Sequence, residues 1–250
     1  MRRTLLAALL LIIGLGTAGP ATAIINGQPD GTRHPAVGGL VAPTQYSDGT
    51  WIYCSGTLIS PTVFLTAAHC GDDGEAVRVT FASQYKEGDK VYTGTFHADP
   101  LYSGTQSDPH DIAVVVLDRS VTGIAPARLP SAGSLSELSK DQRFTSVGYG
   151  AYEVTNEPGG HRYLYDDRRM VANGSLNATN KSWLHISGNP STGNGGTCYG
   201  DSGGPNFLGR TNVIAGITIT GDAVCRATNV VYRLDTASAR TFLAHYVRLP

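Results

Sequence analysis

Short segments rich in valine, isoleucine, threonine and tyrosine recur along most of the chain, each bounded by turn-forming residues. The clearest examples are residues 57–65, 77–81, 112–117 and 213–220. Segments of this length and composition are typical of β-strands, and the 31 glycines supply turns between them. We therefore expect an all-β fold made of many short strands.

Two of these segments differ in their pattern of apolar residues. Residues 112–117 are continuously apolar, which indicates a strand buried on both faces, whereas residues 217–220 alternate, which indicates one face in water. Helical spacing of apolar residues is confined to residues 235–247, with Asp235 as the expected N-cap. Residues 131–141, rich in serine, leucine and glycine, are the best candidate for a connection between two halves.

The first 23 residues have the layout of a secretory signal peptide. Two arginines precede an apolar stretch over residues 5–15, and a small-residue sequence ending at Ala23 fits a cleavage site. The apolar stretch is shorter than the about 20 residues that a membrane-spanning helix needs. We expect residues 1–23 to be removed, leaving a secreted, extracellular domain of residues 24–250 that has no membrane contact.

Charge gives no reason to expect nucleic acid as a partner. Cleavage after Ala23 leaves 17 basic and 20 acidic residues, a net charge of −3, because it removes two of the 19 basic residues. The remaining sequence is slightly acidic overall and contains no run of basic residues that would form a basic patch. No metal and no other cofactor is expected either, because no group of His, Cys, Asp or Glu residues has the spacing of a metal site.

The four cysteines are expected to form two disulfides, because they are even in number and lie in an exported chain. Four cysteines allow three pairings. We favour the two bridges that are local in sequence, Cys54 with Cys70 and Cys198 with Cys225. Closing a loop of this size contributes about 3 kcal/mol in the chain-entropy model.

Three short strings carry residues suited to nucleophilic catalysis: Thr66-Ala67-Ala68-His69-Cys70, Asp111-Ile112-Ala113-Val114 and Gly200-Asp201-Ser202-Gly203-Gly204-Pro205. The third string is the most specific, because its glycines allow positive φ angles and expose the serine on a tight turn. A serine hydroxyl is a weak nucleophile until a neighbouring base takes its proton. His69 is the candidate base, and Asp111 is the carboxylate that would orient it.

With histidine, aspartate and serine in this order, the chain resembles the chymotrypsin-like, or trypsin-like, serine proteases. Further strings resemble segments of that family: Ile24-Ile25-Asn26-Gly27, Cys54-Ser55-Gly56 and Val147-Gly148-Tyr149-Gly150. The resemblance implies that His69, Asp111 and Ser202 form a catalytic triad. It also implies that the backbone N–H groups of Gly200 and Ser202 form an oxyanion hole, and that both local disulfides exist.

The resemblance extends from residue 24 to the C-terminal helix. It implies two packed six-stranded antiparallel β-barrels, over about residues 24–133 and 134–234, followed by a C-terminal α-helix over about residues 235–247. It implies a secreted serine endopeptidase that hydrolyses peptide bonds through an acyl-enzyme intermediate. Its partners would be protein or peptide substrates, with proteinaceous inhibitors as further candidates, and the enzyme would be a monomer.

Counting from Ser202 and Cys225 assigns three residues to the family's primary substrate pocket. Gly196 falls where trypsin-like enzymes carry an aspartate, so nothing at the base would pair with Lys or Arg. Val230 falls where many members have glycine and would shorten the pocket, while Gly221 leaves its entrance open. We expect cleavage after small or medium aliphatic residues.

The junction after Ala23 indicates a route of activation. In the family, the new α-amino group pairs with the aspartate before the nucleophile and orders the active site, and the matching residues here are Ile24 and Asp201. The residue immediately before Ile24 is Ala23, not the Lys or Arg that family zymogens commonly place there. We therefore expect signal peptidase to make the activating cut. The alternative is that Ile24 only begins a strand and that cleavage falls elsewhere or leaves a short propeptide.

Two other classes of protein share part of this pattern. A non-catalytic relative would use the same double barrel to bind a partner, but it would not need to retain all three catalytic residues. An esterase or acyltransferase would share the acyl-enzyme step, and only substrate profiling separates it from a peptidase.

Overall fold

The computed structural model describes residues 24–105 and 107–250, so the expected signal peptide of residues 1–23 lies outside the described residues. The described chain forms two closed six-stranded antiparallel β-barrels and one short C-terminal α-helix. The all-β architecture expected from the sequence is therefore confirmed.

A two-residue strand, β1 (Gln28–Pro29), precedes the first barrel. The barrel consists of β2 (Val37–Val41), β3 (Ile52–Ser60), β4 (Val63–Thr66), β5 (Ala76–Thr80), β6 (Val91–Ala98) and β7 (Ala113–Leu117). These strands pair in the order β2, β3, β4, β7, β6 and β5, and the sheet closes where β5 meets β2. All residues of β7 except Val116 are buried, as its continuously apolar sequence predicts.

The second barrel is built after residues 131–141, which form turns. Its strands, with one inserted hairpin, are β8 (Arg143–Gly148), β9 (Glu153–Glu157), β10 (Gly160–Leu164), β11 (Met170–Thr179), β12 (Trp183–Ser187), β13 (Pro205–Leu208), β14 (Ile214–Gly221) and β15 (Thr228–Arg233). The barrel order is β11, β12, β15, β14, β13 and β8, closed by pairing of β8 with β11. Strand β1 adds to β11, and β9 and β10 pair only with each other.

Two details differ from the sequence expectations. Thr218 in β14 is buried rather than wet, because its hydroxyl accepts a hydrogen bond from the buried Asn206. The helix, α1 (Ala237–Leu243), is shorter than expected and is capped by Thr236, not by Asp235. Asp235 instead pairs with Arg233 and accepts a backbone N–H from the 131–141 segment. No helix in the described part of the chain is long and apolar enough to cross a membrane.

One large apolar core runs across both barrels. A continuous cluster of buried side chains takes members from the first barrel, the second barrel and the C-terminal helix, for example Leu40, Phe64, Phe207, Ile217 and Phe242. A smaller cluster around Phe144 and Leu184 fills the far part of the second barrel. The two barrels are thus packed on each other through shared apolar contacts, and the groove between them is fixed in shape.

A buried ion pair reinforces this packing. Arg169, just before β11, is 2% exposed and donates through Nε to Oδ2 of Asp30 at 2.9 Å. The same guanidinium donates to the carbonyl oxygens of Gly31, Val37 and Phe81. One side chain therefore joins the second barrel to the N-terminal segment and to the first barrel.

Replacing Arg169 by methionine is expected to lower the free energy of unfolding by about 3 to 5 kcal/mol, because Asp30 would lose its buried guanidinium partner and keep only the more exposed His34 and Arg33, and three backbone carbonyls would lose their donor. Urea denaturation measures this change. The matched control is Arg162→Met, whose partner Glu157 lies 3.4 Å away on the surface and whose loss should cost about 0 to 1 kcal/mol. Equal losses in the two variants would contradict the role given to the buried pair.

Candidate active site

His69 lies in a single 3-10 turn, Ala68–Cys70, that follows β4. The disulfide between Cys54 and Cys70, with Cα atoms 6.2 Å apart, ties this turn to β3. Asp111 lies just before β7, and β7 pairs with β4. Adjacent strands therefore carry the two side chains to the same end of the first barrel.

Two hydrogen bonds hold His69 against Asp111. The backbone N–H of His69 donates to Oδ1 at 3.1 Å, and Nδ1 of the ring lies 2.8 Å from Oδ2. Asp111 is buried, so few waters compete for these oxygens. Because a carboxylate can only accept, Nδ1 carries the proton and Nε2 keeps its lone pair. The ring is thus held in the tautomer that a general base requires.

Ser202 lies on a tight turn that joins the loop after Cys198 to β13. Gly200 and Gly203 in this turn have φ angles of +92° and +77°, a region that glycine adopts without strain. A Cβ on Gly203 would collide with the backbone of Ser55 and Ala67 in the first barrel. The glycines that make this string specific therefore have a steric cause, since they allow the turn to approach β3 closely.

A cleft of about 620 Å³ lies between the barrels and contains both His69 and Ser202. Within the described residues, no hydrogen bond joins these two side chains, and the Ser202 hydroxyl has no other hydrogen-bond partner. Catalytic hydrogen bonds are often loose without substrate and shorten in the complex. The hydroxyl is thus unconstrained beside the histidine.

Two unpaired backbone donors belong to residues that line the same cleft. The N–H groups of Gly200 and Ser202 have no acceptor among the described residues, and both residues line the cleft. A backbone N–H left unpaired in a folded turn is uncommon, since most find a partner in protein or water. These two groups are available to bind a negatively charged oxygen of a ligand.

Of the three residues predicted to form the substrate pocket, one lines the cleft. Gly221 lines the cleft, whereas Gly196 and Val230 are not among the described residues that line it. The N–H of Gly196 donates to the carbonyl of Ile25 at 2.9 Å, and a Cβ on Gly196 would collide with the carbonyl of Cys225. The Cys225 backbone thus occupies the space in which a longer side chain at position 196 would lie.

Val230 is half-buried and pairs with Thr220 across the sheet, while its neighbour Asn229 is buried. The side-chain amide of Asn229 donates to Asn206 at 2.8 Å, and Asn206 donates to the hydroxyl of Thr218 at 3.1 Å. Thr218 lines the cleft. This buried polar chain was not predicted from the sequence, although Asn206 and Asn229, each followed by two apolar residues within a strand, were a signal for it.

Ile24 and Asp201 are both fully buried. Ile24 packs with Met170, and the Asp201 carboxylate accepts backbone N–H groups from Cys198 at 2.8 Å and Gly150 at 2.9 Å. Burial raises the pKa of the Asp201 carboxyl to about 7, even though these two N–H groups lower it. Among the ion pairs of the described residues, none includes Asp201.

The second disulfide joins Cys198 to Cys225, with Cα atoms 5.1 Å apart, so both bridges are the local ones favoured from the sequence. The nearest arrangement to a metal site in the described chain is His69 with Cys54 and Cys70, whose ligand atoms lie within 4.8 Å of one another. Both sulfurs are bound in a disulfide, so only the imidazole could ligate a metal there.

Comparison with known proteins agrees with this geometry. The family model described as Trypsin matches residues 27–240. A chymotrypsin from Phaedon cochleariae is 29% identical over 231 residues, which cover 85% of this chain and 78% of the relative. Brachyurin from Leptuca pugilator is 31% identical over 207 residues, covering 76% of this chain and 88% of the relative. A solved collagenase structure has the same fold, with a TM-score of 0.68, 19% identity and coverage of 90% and 100% of the two chains.

Two packed β-barrels with a histidine, a carboxylate and a glycine-flanked serine at their junction define a serine peptidase. The chain belongs to the trypsin family, whose model spans most of its length. It is a serine endopeptidase, a hydrolase of peptide bonds.

Proposed function

We propose that the chain is a secreted serine endopeptidase with Ser202 as nucleophile, His69 as general base and Asp111 as the group that orients the histidine. The observation that carries this proposal is the 2.8 Å contact between His69 and Asp111 in the cleft that also holds Ser202. Nε2 takes the hydroxyl proton while Oγ bonds to the scissile carbonyl carbon, and it then returns the proton to the leaving amine. Water repeats the sequence on the resulting acyl-enzyme.

The unpaired N–H groups of Gly200 and Ser202 support the second part of the proposal, the oxyanion hole. As Oγ attacks, the carbonyl oxygen gains negative charge, and donors already in place stabilise that charge without reorganisation. The charge exists in the transition state and not in the bound substrate, so these donors increase kcat more than they increase affinity.

Labelling with a serine-directed phosphonylating reagent tests these roles. The reagent should form one adduct, at Ser202, and prior labelling should abolish peptide hydrolysis. His69→Ala should slow labelling strongly because the hydroxyl would lose its base. An adduct at another residue in an active enzyme would overturn the assignment. A protein that neither reacts nor hydrolyses peptides would be the binding-only relative.

We further propose that the enzyme cleaves after small or medium aliphatic residues. Gly196 offers no carboxylate, and the carbonyl of Cys225 lies against it. Asp222, which lines the cleft, accepts three backbone N–H groups of residues 226–228. Burial raises the pKa of its carboxyl, but these hydrogen bonds outweigh burial, and the pKa is lowered. These hydrogen bonds hold the carboxylate in its own loop, which supports the proposal that it does not select a basic substrate side chain.

A peptide library that varies only the residue before the cleaved bond is expected to show Ala, Val and Leu ahead of Lys and Arg. The preference among aliphatic residues should be broad, because one methylene in an apolar pocket is worth only about 1 to 3 kcal/mol. Mass spectrometry of the digest measures the preference. A dominant preference for Lys or Arg would refute the proposal, and faster hydrolysis of simple esters with no peptide cleavage would favour the esterase alternative.

The last part of the proposal is that export activates the enzyme. Cleavage after Ala23 would give Ile24 a charged α-amino group, and Ile24 and the unpaired Asp201 are both buried. Pairing of the two groups would order the N–H donors of Gly200 and Ser202, which lie directly before and after Asp201 in the sequence. The mature enzyme is then an extracellular monomer that acts on protein or peptide substrates and is open to proteinaceous inhibitors.

A further inference from the structure

The turn that carries Ser202 is held from two sides. On the side of the second barrel, the Asp201 carboxylate accepts the N–H groups of Gly150 and Cys198. On the side of the first barrel, the partner is Ser55 in β3, the residue after the cysteine of the first disulfide. Ser55 has no exposed surface. The nucleophile turn therefore rests on a buried serine of the opposite barrel.

Ser55 uses every hydrogen-bonding group that it has. Its backbone N–H donates to the carbonyl of Ser202 at 2.8 Å, and its hydroxyl donates to the carbonyl of Gly200 at 2.8 Å. The hydroxyl oxygen accepts the N–H of Tyr149 at 2.9 Å, and the Ser55 carbonyl accepts the hydroxyl of Thr66 at 2.8 Å. With its hydroxyl fixed as donor and acceptor, the side chain has one orientation.

The two carbonyls that Ser55 binds belong to the two residues whose N–H groups are unpaired in the cleft. Gly200 has a φ of +92°, and a glycine moves between positive and negative φ at little cost. Such a move would turn the Gly200 N–H away from the cleft. The hydrogen bond from the Ser55 hydroxyl fixes the peptide unit that follows the Gly200 Cα, so φ can change only by movement of the preceding peptide, which Tyr199 joins to the disulfide-bonded Cys198.

We propose that Ser55 is a positioning residue of the oxyanion hole, acting through the Gly200 and Ser202 carbonyls to keep their N–H groups directed at the substrate. This inference rests on the proposed function, since it requires those N–H groups to bind the oxyanion. Ser55 itself touches no substrate. It acts from behind the turn, so its hydroxyl should matter for the rate of reaction and little for the binding of substrate.

The test compares Ser55→Ala with Thr57→Val. Thr57 is on the same strand, is equally buried and has a hydroxyl without a hydrogen-bond partner, so it controls for removal of a buried hydroxyl from β3. Concentrations are set by titrating the active site of the mature enzyme, which corrects for misfolded protein. Both variants are then assayed with one peptide substrate and with a peptide boronic acid, whose adduct with Ser202 is tetrahedral and anionic.

For Ser55→Ala we expect kcat to fall about tenfold or more, with KM within about twofold, because the loss lies in the transition state. Affinity for the boronic acid should fall by a similar factor, while affinity for the unreactive product peptide should stay the same. Thr57→Val should match the unmodified enzyme in all three measurements. A merely structural Ser55 would lower the melting temperature but leave kcat per titrated site unchanged.

An unchanged kcat, or a change confined to KM, would overturn the proposal. If Ser55→Ala does not fold, Ser55→Gly carries the same expectation, because it also lacks the hydroxyl and introduces no larger group. Failure of the wider functional proposal would look different, since the unmodified enzyme would then not be titrated at Ser202. Normal titration of the unmodified enzyme with an unaffected Ser55→Ala would reject only the role of Ser55.

Discussion

Replacing Ser202 by alanine is expected to reduce peptide hydrolysis by about 10⁴-fold or more while the protein remains folded. The loss follows because the substitution removes the hydroxyl that the proposed mechanism uses as nucleophile. The fold should be unaffected, because the Ser202 hydroxyl makes no hydrogen bond among the described residues, whereas its backbone carbonyl, which the substitution retains, binds Ser55. Initial rates at saturating substrate and a thermal melt of the same sample measure both effects.

His69→Ala should cause a loss of similar size, and the double variant should lose little more, because base and nucleophile act as one unit. Ser191→Ala, which changes an exposed serine outside the cleft, is the matched control and should leave the rate unchanged. If Ser202→Ala kept most of its activity in a folded sample, another residue would have to be the nucleophile. Additive losses in the double variant would show that His69 and Ser202 act independently.

A secreted chain that retains Ala23 ahead of Ile24 is expected to fold but to have only weak activity. In that form the nitrogen of Ile24 is an uncharged amide, and Asp201 stays buried without a cation. Leaving one member of a buried ion pair unpaired costs about 3 to 5 kcal/mol, so the turn that follows Asp201 would lose its fixed arrangement. N-terminal sequencing combined with kcat per titrated site measures the effect. A fully active preparation that begins anywhere other than at Ile24 would refute activation by the export cut.

The same feature gives the uncleaved form a distinct pH dependence. Its Asp201 pKa is raised by burial to about 7, so the folded state binds a proton that the unfolded state has already released above about pH 4. Stability of the uncleaved form should therefore fall as pH rises from about 4 to 7, by about 4 kcal/mol in total. In the cleaved form the charged amine offsets this loss, until pH rises through the pKa of the amine and the pair is lost.

Denaturation of both forms between pH 4 and 9 checks this expectation. In the uncleaved form, Asp201→Asn should make stability nearly independent of pH over this range, because the amide does not titrate. In the cleaved form, the same substitution should lower activity, as retention of Ala23 does. Parallel pH profiles for the cleaved and uncleaved chains would show that Ile24 and Asp201 do not pair.

The parts of this molecule that sequence analysis predicted well are set by local steric rules. The glycines around Ser202 are required by a turn that packs on the first barrel, so the string itself reports the turn. The continuous run of apolar residues likewise predicted the buried strand β7, because a strand that is buried on both faces has apolar side chains on both. The helix cap was predicted less well, since both Asp235 and Thr236 suit the position and a tertiary contact of Asp235 decides between them.

The substrate-pocket residues assigned by counting along the sequence stay a prediction, and a β-bulge beside them makes such counting difficult. Pairing between β14 and β15 shifts by one residue between Thr218 and Thr220, and Thr220 and Gly221 of β14 line the cleft while their partners Val230 and Asn229 of β15 do not. A one-residue shift exchanges the two faces of a strand, and a bulge leaves no reliable mark in local composition. The Ser55 contacts were hidden for a similar reason, because they join residues 145 positions apart.

The apolar cluster that runs through both barrels determines how the protein unfolds. Because Phe64 of one barrel and Phe207 of the other belong to the same buried cluster, opening either barrel exposes the face of its neighbour. Unfolding should therefore be cooperative across the whole chain, and the most slowly exchanging amides of both halves should exchange together. Fragments cut within residues 131–141 would each lack half of a core, so each should fold only in the presence of the other.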